Sequence, residues 1–385
     1  LFPNLTMAQI PSLSSRLADP ARPVFLLGDV PPGEGTPPGK CQTICNKFMA
    51  RSRALASDGF IVYDIQDEPG RSDMERPFPF RRVMDSSRYG ALLSRSSGKQ
   101  CLIYKCVADP TFEEWVEKAA VEHGHTALNL VGRASSDGTY EGPTISEAME
   151  ITRKRAQFGC VCIAERHTLE AAEKRGKSYP TEHQNMLRKQ KAGAQWFISQ
   201  AVYDPEPTIR LLKDYAALCR EQGIVPNKVV LTFAPVSRKK TLNFIKWLGV
   251  KVPQENETKI LEAEKPINAS VELCCDILKT ILSECAGVGV PLGISCESVS
   301  IFKAEIDGVH ELFRKLQEIL LDARGTPWKV QWIDVLPFPI QNAKIEETAE
   351  EENALQPVNS QILLQASFLG ALIGGSLMAV GVVLG

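Results

Sequence analysis

The sequence contains no pair of cysteines at C-x-x-C spacing and no G-x-G-x-x-G motif after an apolar strand. The first absence argues against a zinc site or a dithiol redox centre, since no histidine lies at zinc spacing from a cysteine either. The second removes the usual fingerprint of a dinucleotide-binding, doubly wound sheet. The 11 cysteines lie mostly in apolar runs. We therefore predict buried, reduced thiols.

An excess of charge of one sign is also missing. The 44 Lys and Arg nearly balance the 46 Asp and Glu, which gives a net charge of −2. Overall charge therefore does not predict a nucleic acid or an acidic membrane surface as a partner. With 44% hydrophobic and 23% charged residues, the composition is that of a soluble globular protein. A chain of 385 residues can form a large α/β domain.

Apolar strand-like runs alternate with helical patterns along most of the chain. Eight strands are predicted, at 23–30, 59–65, 101–107, 126–131, 158–164, 194–202, 228–234 and 291–296. Helices are predicted at 40–56, 112–123, 145–157, 181–191, 207–222, 239–248 and 304–321, with a helical excursion over 255–284. A long polar loop follows the second strand as far as Arg82. A doubly wound sheet fits the same order, but without its fingerprint we favour a (β/α)8 TIM-type barrel.

Composition divides the chain into five predicted segments. They are an N-terminal extension 1–22, a barrel 23–325, a packed extension 326–342, an acidic linker 343–361 and an apolar tail 362–385. Residues 366–385 contain no charged side chain and have about the length needed to cross a bilayer. We expect a transmembrane tail that tethers the protein to the cytoplasmic face of a membrane. The alternative is a glycine-rich tail docked on a cytoplasmic protein.

One stretch of the sequence carries a recognisable motif. Lys189 to Asp204 reads K-Q-K-A-G-A-Q-W-F-I-S-Q-A-V-Y-D, and Gln200 lies near the carboxyl end of its predicted buried strand. A buried amide is costly without a partner, and barrels hold ligands at that end of their strands. The stretch resembles the K-x-x-A-G-A-x-x-x-I-T-Q-x-x-F-D segment of the methylenetetrahydrofolate reductase family. The resemblance extends over roughly 23–321 and is strong again over 289–316.

The resemblance implies a flavoprotein barrel that passes a hydride from NAD(P)H to FAD and then to a folate-bound methylene group. It also implies roles for matching residues of this chain. His167 matches a residue near the FAD diphosphate, Glu182 one that binds cofactor hydroxyls, and Lys189 one that faces the cofactor. Ala194 matches a small residue that lets the flavin approach, and Gln200 the amide that holds the pteridine. A folate-type ligand and a homo-oligomer are expected on the same ground.

Two strand ends depart from the family pattern. Counting back from Pro31-Pro32 places Gly28 where the family has the glutamate that protonates the substrate. Asp29 is next to it and is our candidate acid, provided that a bulge turns it inward, because neighbours on a strand face opposite sides. At the end of the fourth strand, Arg133 stands where the family has an aspartate between flavin and folate. An arginine there would stabilise an anionic reduced flavin.

Two function classes follow. The first is an FAD-dependent reductase of the methylenetetrahydrofolate type, supported by the matching residues. The second is a non-catalytic or regulatory relative that keeps the barrel and a ligand, supported by Gly28 and Arg133. A barrel methyltransferase or lyase that uses a folate without flavin is a weaker third reading, since no cobalamin or metal motif is present in the sequence.

Overall fold

The structure is a computed structural model that describes residues 11–67, 72–132 and 141–323. Eight parallel strands close into a barrel in sequence order, which confirms the TIM-type fold. The strands are β1 Phe25–Asp29, β2 Gly59–Val62, β3 Cys101–Cys106, β4 Ala127–Val131, β5 Gln157–Cys162, β6 Trp196–Ala201, β7 Lys228–Phe233 and β8 Leu292–Cys296. The barrel closes where β1 pairs with β8, in the register Leu27↔Cys296.

The helices alternate with these strands on the outside of the barrel. They are α1 Leu13–Ala18, α2 Pro38–Ser52, α3 Ser86–Ser97, α4 Phe112–Glu117, α5 Ile145–Thr152, α6 Leu169–Glu173, α7 Glu182–Lys191, α8 Pro205–Glu221, α9 Lys239–Trp247, α10 Gln254–Leu261, α11 Pro266–Glu284 and α12 Lys303–Ala323. The sequence did not predict α3, which is rich in serine. Two local signals define its ends: the Asp85 side chain accepts from the Arg88 N–H at 2.9 Å, and Gly98 terminates it at φ 70°.

Apolar side chains form two layers on either side of the strands. A large layer lies between strands and helices and includes Leu27, Cys296 and Phe233. A smaller interior cluster fills the barrel itself. Its members are Leu13, Leu17, Val24, Leu26, Ile61, Tyr63, Leu102, Tyr104, Ala127, Val131, Val161, Ile163, Trp196, Ile198 and Val230. Because strand residues alternate between the two faces, these two sets identify which polar residues point inward.

The amino ends of the strands are closed by α1. Leu13 and Leu17 belong to the interior cluster, and an ideal Cβ on Gly59 would lie 2.8 Å from a Leu13 methyl carbon. The ammonium of Lys228 donates to the Arg16 carbonyl. The carboxyl ends of the strands, which we call the mouth, are therefore the end at which a ligand can enter.

Long connections meet around the mouth. The segment after β2 reaches α9, where the Phe78 and Phe244 ring centroids lie 5.5 Å apart and the Arg76 guanidinium lies 4.6 Å from the Trp247 ring. It also pairs with the connection after β1, through the bridge Gly33↔Val83. The connections after β1, β2 and β7 are thus tied together at this end of the barrel.

Several sequence-based predictions fall outside the described residues. Arg133 is one, and the segments from 326 onward, including the tail 366–385, are others. Within the described ranges, none of the helices has both the length and the apolar character needed to span a bilayer.

Candidate functional site at the mouth of the barrel

The end of β1 places Gly28 and Asp29 on opposite faces. Leu26 belongs to the interior cluster and Leu27 to the helix-facing layer, so Gly28 faces the interior and Asp29 the helices. An ideal Cβ on Gly28 would lie 2.9 Å from both the Glu297 Cβ and the Tyr63 hydroxyl oxygen. The space that a β1 side chain would occupy is filled by these two neighbours.

Asp29 is held on the helix side. Its Oδ2 accepts from the Tyr89 hydroxyl at 2.8 Å, and its Oδ1 accepts from the Val30 N–H at 3.0 Å. β1 pairs with β2 in regular register from Leu26 to Asp29, so no bulge turns this residue inward. Burial raises its pKa to about 7 against the bonds from Tyr89 and Val30. The sequence-based prediction of Asp29 as the acid required a bulge that turns it inward, and β1 has no such bulge.

Glu297 is the carboxyl that does face the interior. It follows β8 directly and is only 1% exposed. The Tyr63 hydroxyl, at the end of β2, donates to its Oε2. Burial raises the pKa of Glu297 well above its usual range. Its Oε1 has no hydrogen-bond partner among the described residues. Burial thus favours the neutral acid, and within the described residues one of its oxygens is open to a ligand.

Two further polar side chains face the barrel interior. Asn129 lies between Leu128 and Leu130 of the helix-facing layer, and Ser295 lies between Ile294 and Cys296, so both point inward. Both are fully buried. Neither the Asn129 amide nor the Ser295 hydroxyl has a partner within the ranges described. Buried polar groups are normally bonded, so such a set on one inner face marks a ligand site.

Gln200 lies in an irregular part of β6. The register with β7 shifts between Ile198 and Ala201, and there the Ser199 hydroxyl accepts from the Thr232 N–H at 2.9 Å. Gln200 is 2% exposed, and its Nε2 donates to the Leu248 carbonyl at 2.8 Å. Its Oε1 has no partner in the described part of the chain. Gln200 can therefore still accept one hydrogen bond from a ligand.

His167 is fully buried between α7 and α8. Its Nε2 lies 2.8 Å from Asp214 Oδ2, and its ring centroid lies 4.9 Å from that of His183. Burial lowers the pKa of His167, while the bond to Asp214 acts in the opposite direction. A neutral imidazole that donates to this carboxylate has no second N–H to offer to a diphosphate.

Glu182 and Lys189 of α7 are also engaged with the protein. Glu182 Oε1 accepts from the Ile163 N–H at 3.3 Å, and its Oε2 accepts from the Asn185 amide at 3.2 Å. Lys189 Nζ donates to the Val161 carbonyl of β5 at 3.1 Å. Both side chains attach α7 to the end or edge of β5.

Ala194 precedes β6 and so lies at the amino end of that strand, opposite the mouth. It is buried in the helix-facing layer, and its carbonyl accepts from the Asn227 amide at 2.6 Å. The structure thus separates Ala194 from Gln200 by the length of the strand.

The residues that the resemblance assigns to FAD make contacts with the protein in this structure. Glu182 and Lys189 bond to β5 and its end, His167 bonds through Nε2 while its Nδ1 has no partner among the described residues, and Ala194 lies at the other end of the barrel. We therefore derive no chemical step through a flavin.

Sequence reasoning missed Glu297, Tyr63 and Asn129 as site residues. A signal for Glu297 was present, because a carboxyl directly after the last apolar strand sits where barrels hold ligands. No sequence signal distinguishes Tyr63 or Asn129 from ordinary strand residues, since their importance depends on which face each occupies.

Comparison with known proteins adds family information. Residues 145–291 match the family model described as methylenetetrahydrofolate reductase. No curated protein matches the chain significantly. A solved structure from Clostridium thermocellum, described as an uncharacterized protein that binds two copies of 5-methyl-5,6,7,8-tetrahydrofolic acid, is 27% identical. It aligns over 77% of this chain and 96% of its own, with a TM-score of 0.64.

A more distant match is a dihydropteroate synthase from Xanthomonas albilineans, 12% identical over 77% of this chain and 93% of its own. Its TM-score of 0.38 is too low to support an argument. The family model and the Clostridium structure together confirm the resemblance inferred from the sequence. Residues 145–291 are thus similar to the methylenetetrahydrofolate reductase family, and they form part of a TIM-type barrel.

Proposed function

We propose that this protein binds a reduced folate at the mouth of the barrel and acts on its one-carbon unit, as a reductase of the methylenetetrahydrofolate type. The observation that carries the proposal is the set of buried polar atoms of Asn129, Ser295 and Glu297 on the inner face of the barrel, which have no partner among the described residues. The family match and the folate-binding relative supply the ligand class.

The chemistry of this inner face suits a reduced pterin. The pyrimidine edge of a pterin carries both N–H donors and ring or carbonyl acceptors. An amide such as Asn129 offers both kinds of group, and a neutral carboxyl such as Glu297 does the same. Tyr63 and Tyr104, whose ring centroids are 5.0 Å apart, add flat apolar surface beside them.

Binding is tested by titrating the purified chain with 5-methyltetrahydrofolate in a calorimeter. We expect saturable binding that weakens about tenfold or more in Asn129→Ala, because that variant removes both amide atoms. Glu122→Gln, an exposed change beyond the C-terminal end of α4, is the control and should bind as the original does. A flat titration would remove the proposal.

FAD and NAD(P)H are the cofactors that the family resemblance adds to this proposal. Since the matching side chains are bonded to the protein, flavin loading has to be measured directly. The purified protein is incubated with FAD, desalted and examined by visible absorption, then treated with NADH or NADPH. A retained flavin band that bleaches supports the reductase, whereas a colourless protein that binds folate limits the proposal to folate binding. The comparisons do not favour the alternative of a non-catalytic relative.

A further inference from the structure

We propose that Glu297 is the acid of this site, and that from the end of β8 it replaces the side chain that β1 lacks at Gly28. The inference rests on the proposed function and names the group that delivers a proton to the bound folate. It is independent of the flavin.

The geometry explains why one position can replace the other. β1 and β8 are hydrogen-bonded neighbours, with Leu27 paired to Cys296, so Gly28 and Glu297 are the next residues of the two strands on the interior face. An ideal Cβ on Gly28 would lie 2.9 Å from the Glu297 Cβ. A carboxyl that starts from either strand therefore enters the same part of the interior.

Tyr63 holds the Glu297 carboxyl in place through a hydrogen bond and determines which oxygen carries the proton. Its hydroxyl donates to Oε2, which leaves Oε1 to carry the exchangeable proton. Among the described residues, Tyr63, directly after β2, and Gly28 of β1 lie against Glu297. In the parts of the chain described, burial is the cause of its raised pKa, and no charged side chain contributes. Burial therefore favours the protonated form, which can act as a general acid.

The step is a proton transfer to a folate whose methylene group bridges N5 and N10. The proton leaves Oε1 of Glu297 for N10, and the bond between the methylene carbon and N10 breaks, its electron pair remaining on N10. The N5 lone pair forms a double bond to the same carbon, which gives an iminium. Glu297 is left as a carboxylate that the Tyr63 hydroxyl stabilises, and no oxidant or reductant takes part.

Because the iminium adds water and releases formaldehyde reversibly, the step can be followed without any flavin. Unlabelled 5,10-methylenetetrahydrofolate is incubated with labelled formaldehyde, and exchange of label is measured with and without protein. Affinity for 5-methyltetrahydrofolate is measured in parallel, so loss of binding and loss of the proton step are separate readouts.

We expect Glu297→Gln to lower the protein-dependent exchange rate about 100-fold while affinity changes only a few-fold. Glu165→Gln is the matched control, since burial raises the pKa of that carboxyl too, to about 7, and it accepts from the backbone of Lys251. It should exchange as the original does.

Tyr63→Phe gives a second test that does not remove the acid. Exchange should slow about tenfold, because the carboxylate loses its charge-assisted bond. Exchange requires the protonated form, so it falls as pH rises through the pKa of Glu297. Without the Tyr63 hydroxyl, the carboxylate form is less stable and the pKa of Glu297 is higher. The decrease in exchange rate should therefore occur at higher pH in Tyr63→Phe.

Three outcomes overturn the inference. In the first, Glu297→Gln exchanges at the original rate. In the second, Tyr63→Phe leaves the pH profile in place. In the third, the original protein binds 5-methyltetrahydrofolate without accelerating exchange, which leaves the proposed binding intact. If the protein binds no folate, the proposed function fails and the inference fails with it.

Discussion

Polar side chains on the inner face of the barrel differ in their hydrogen bonding from those in the layer between strands and helices. On the inner face, Glu297 Oε1 and the amide of Asn129 are buried with no partner among the residues described. In the outer layer, Asp29 is bonded to Tyr89, and His167 to Asp214. Buried polar atoms cost free energy when unpaired, so the bonds of Asp29 and His167 stabilise the fold, and we assign the inner set to the proposed ligand.

This difference shows why matching residue types is not enough to locate a site. Among residues that match the family's cofactor contacts, Glu182 and Lys189 are bonded to the protein, and His167 is bonded through Nε2 but not through Nδ1 within the described residues. Glu297 matches none of these contacts, yet its Oε1 is buried with no partner in the described part of the chain. Residue type alone therefore does not show which polar atoms are bonded to the protein.

The largest effect is expected from Gly28→Glu, which crowds the inner face. A Cβ added at Gly28 would lie 2.9 Å from atoms of Glu297 and Tyr63. A full glutamate side chain should therefore lower the free energy of unfolding by about 3 kcal/mol or more. The double variant Gly28→Glu with Glu297→Gly should recover stability and formaldehyde exchange, since it moves the carboxyl to the neighbouring strand. Thermal unfolding and the exchange assay measure both.

The control for that variant is Gly39→Glu, because a Cβ at Gly39 meets no atom within 4 Å. It should unfold close to the original temperature. An unchanged melting temperature for Gly28→Glu would show that the two positions do not share one space.

A smaller loss of stability is expected from His167→Ala, in the layer between strands and helices. The change deletes a fully buried ring and its bond to Asp214, so the free energy of unfolding should fall by about 2 kcal/mol. Affinity for 5-methyltetrahydrofolate should stay unchanged. Asp214→Asn, which keeps an acceptor, should cost less. Loss of bound FAD without loss of stability would instead support the cofactor role that the family resemblance assigns to His167.

Asn129→Leu should separate stability from function on the inner face. Leucine has the same branching without polar atoms, so removing the unpaired amide should raise the free energy of unfolding by about 1 kcal/mol. Folate affinity should fall at the same time. Denaturant titration and calorimetry together measure the two effects, and a stability loss with unchanged affinity would mean that the amide is structural.

A further effect concerns the pH dependence contributed by Asp29. Its pKa in the folded chain, about 7, lies above the usual 3.8, so the folded state binds the proton more tightly. That contribution to stability is complete below about pH 4 and is lost as pH rises through 7. The melting temperature of Asp29→Asn relative to the original should therefore increase between pH 5 and pH 8. A constant difference would mean that Asp29 titrates near its usual pKa.

Strand order was predictable because buried parallel strands are continuous apolar runs. The predicted 228–234 became β7 Lys228–Phe233, and 158–164 became β5 Gln157–Cys162. The helix α3 was missed because serine and glycine weaken its intrinsic propensity, and packing of Tyr89 and Leu93 on the strands stabilises it instead. The excursion 255–284 became the two helices α10 and α11.

The site was harder to predict than the fold. The sequence singled out Gln200, and its Oε1 is indeed without a partner in the described residues. It also suggested that a bulge could turn Asp29 inward, but the regular pairing of β1 excludes that. Register is a property of two strands at once, so the sequence of one strand does not reveal it.

The amino-acid sequence by itself determined the barrel, the order of its elements and the resemblance to a known family, because hydrophobic periodicity and short motifs are local. The tertiary structure decided which polar atoms are free. Gly28 and Glu297 are 269 positions apart in the sequence (297 minus 28), and only barrel closure between β1 and β8 brings them into contact. A side chain's burial and partners depend on strands far apart in the chain, so the acid of the site becomes visible only in the folded molecule.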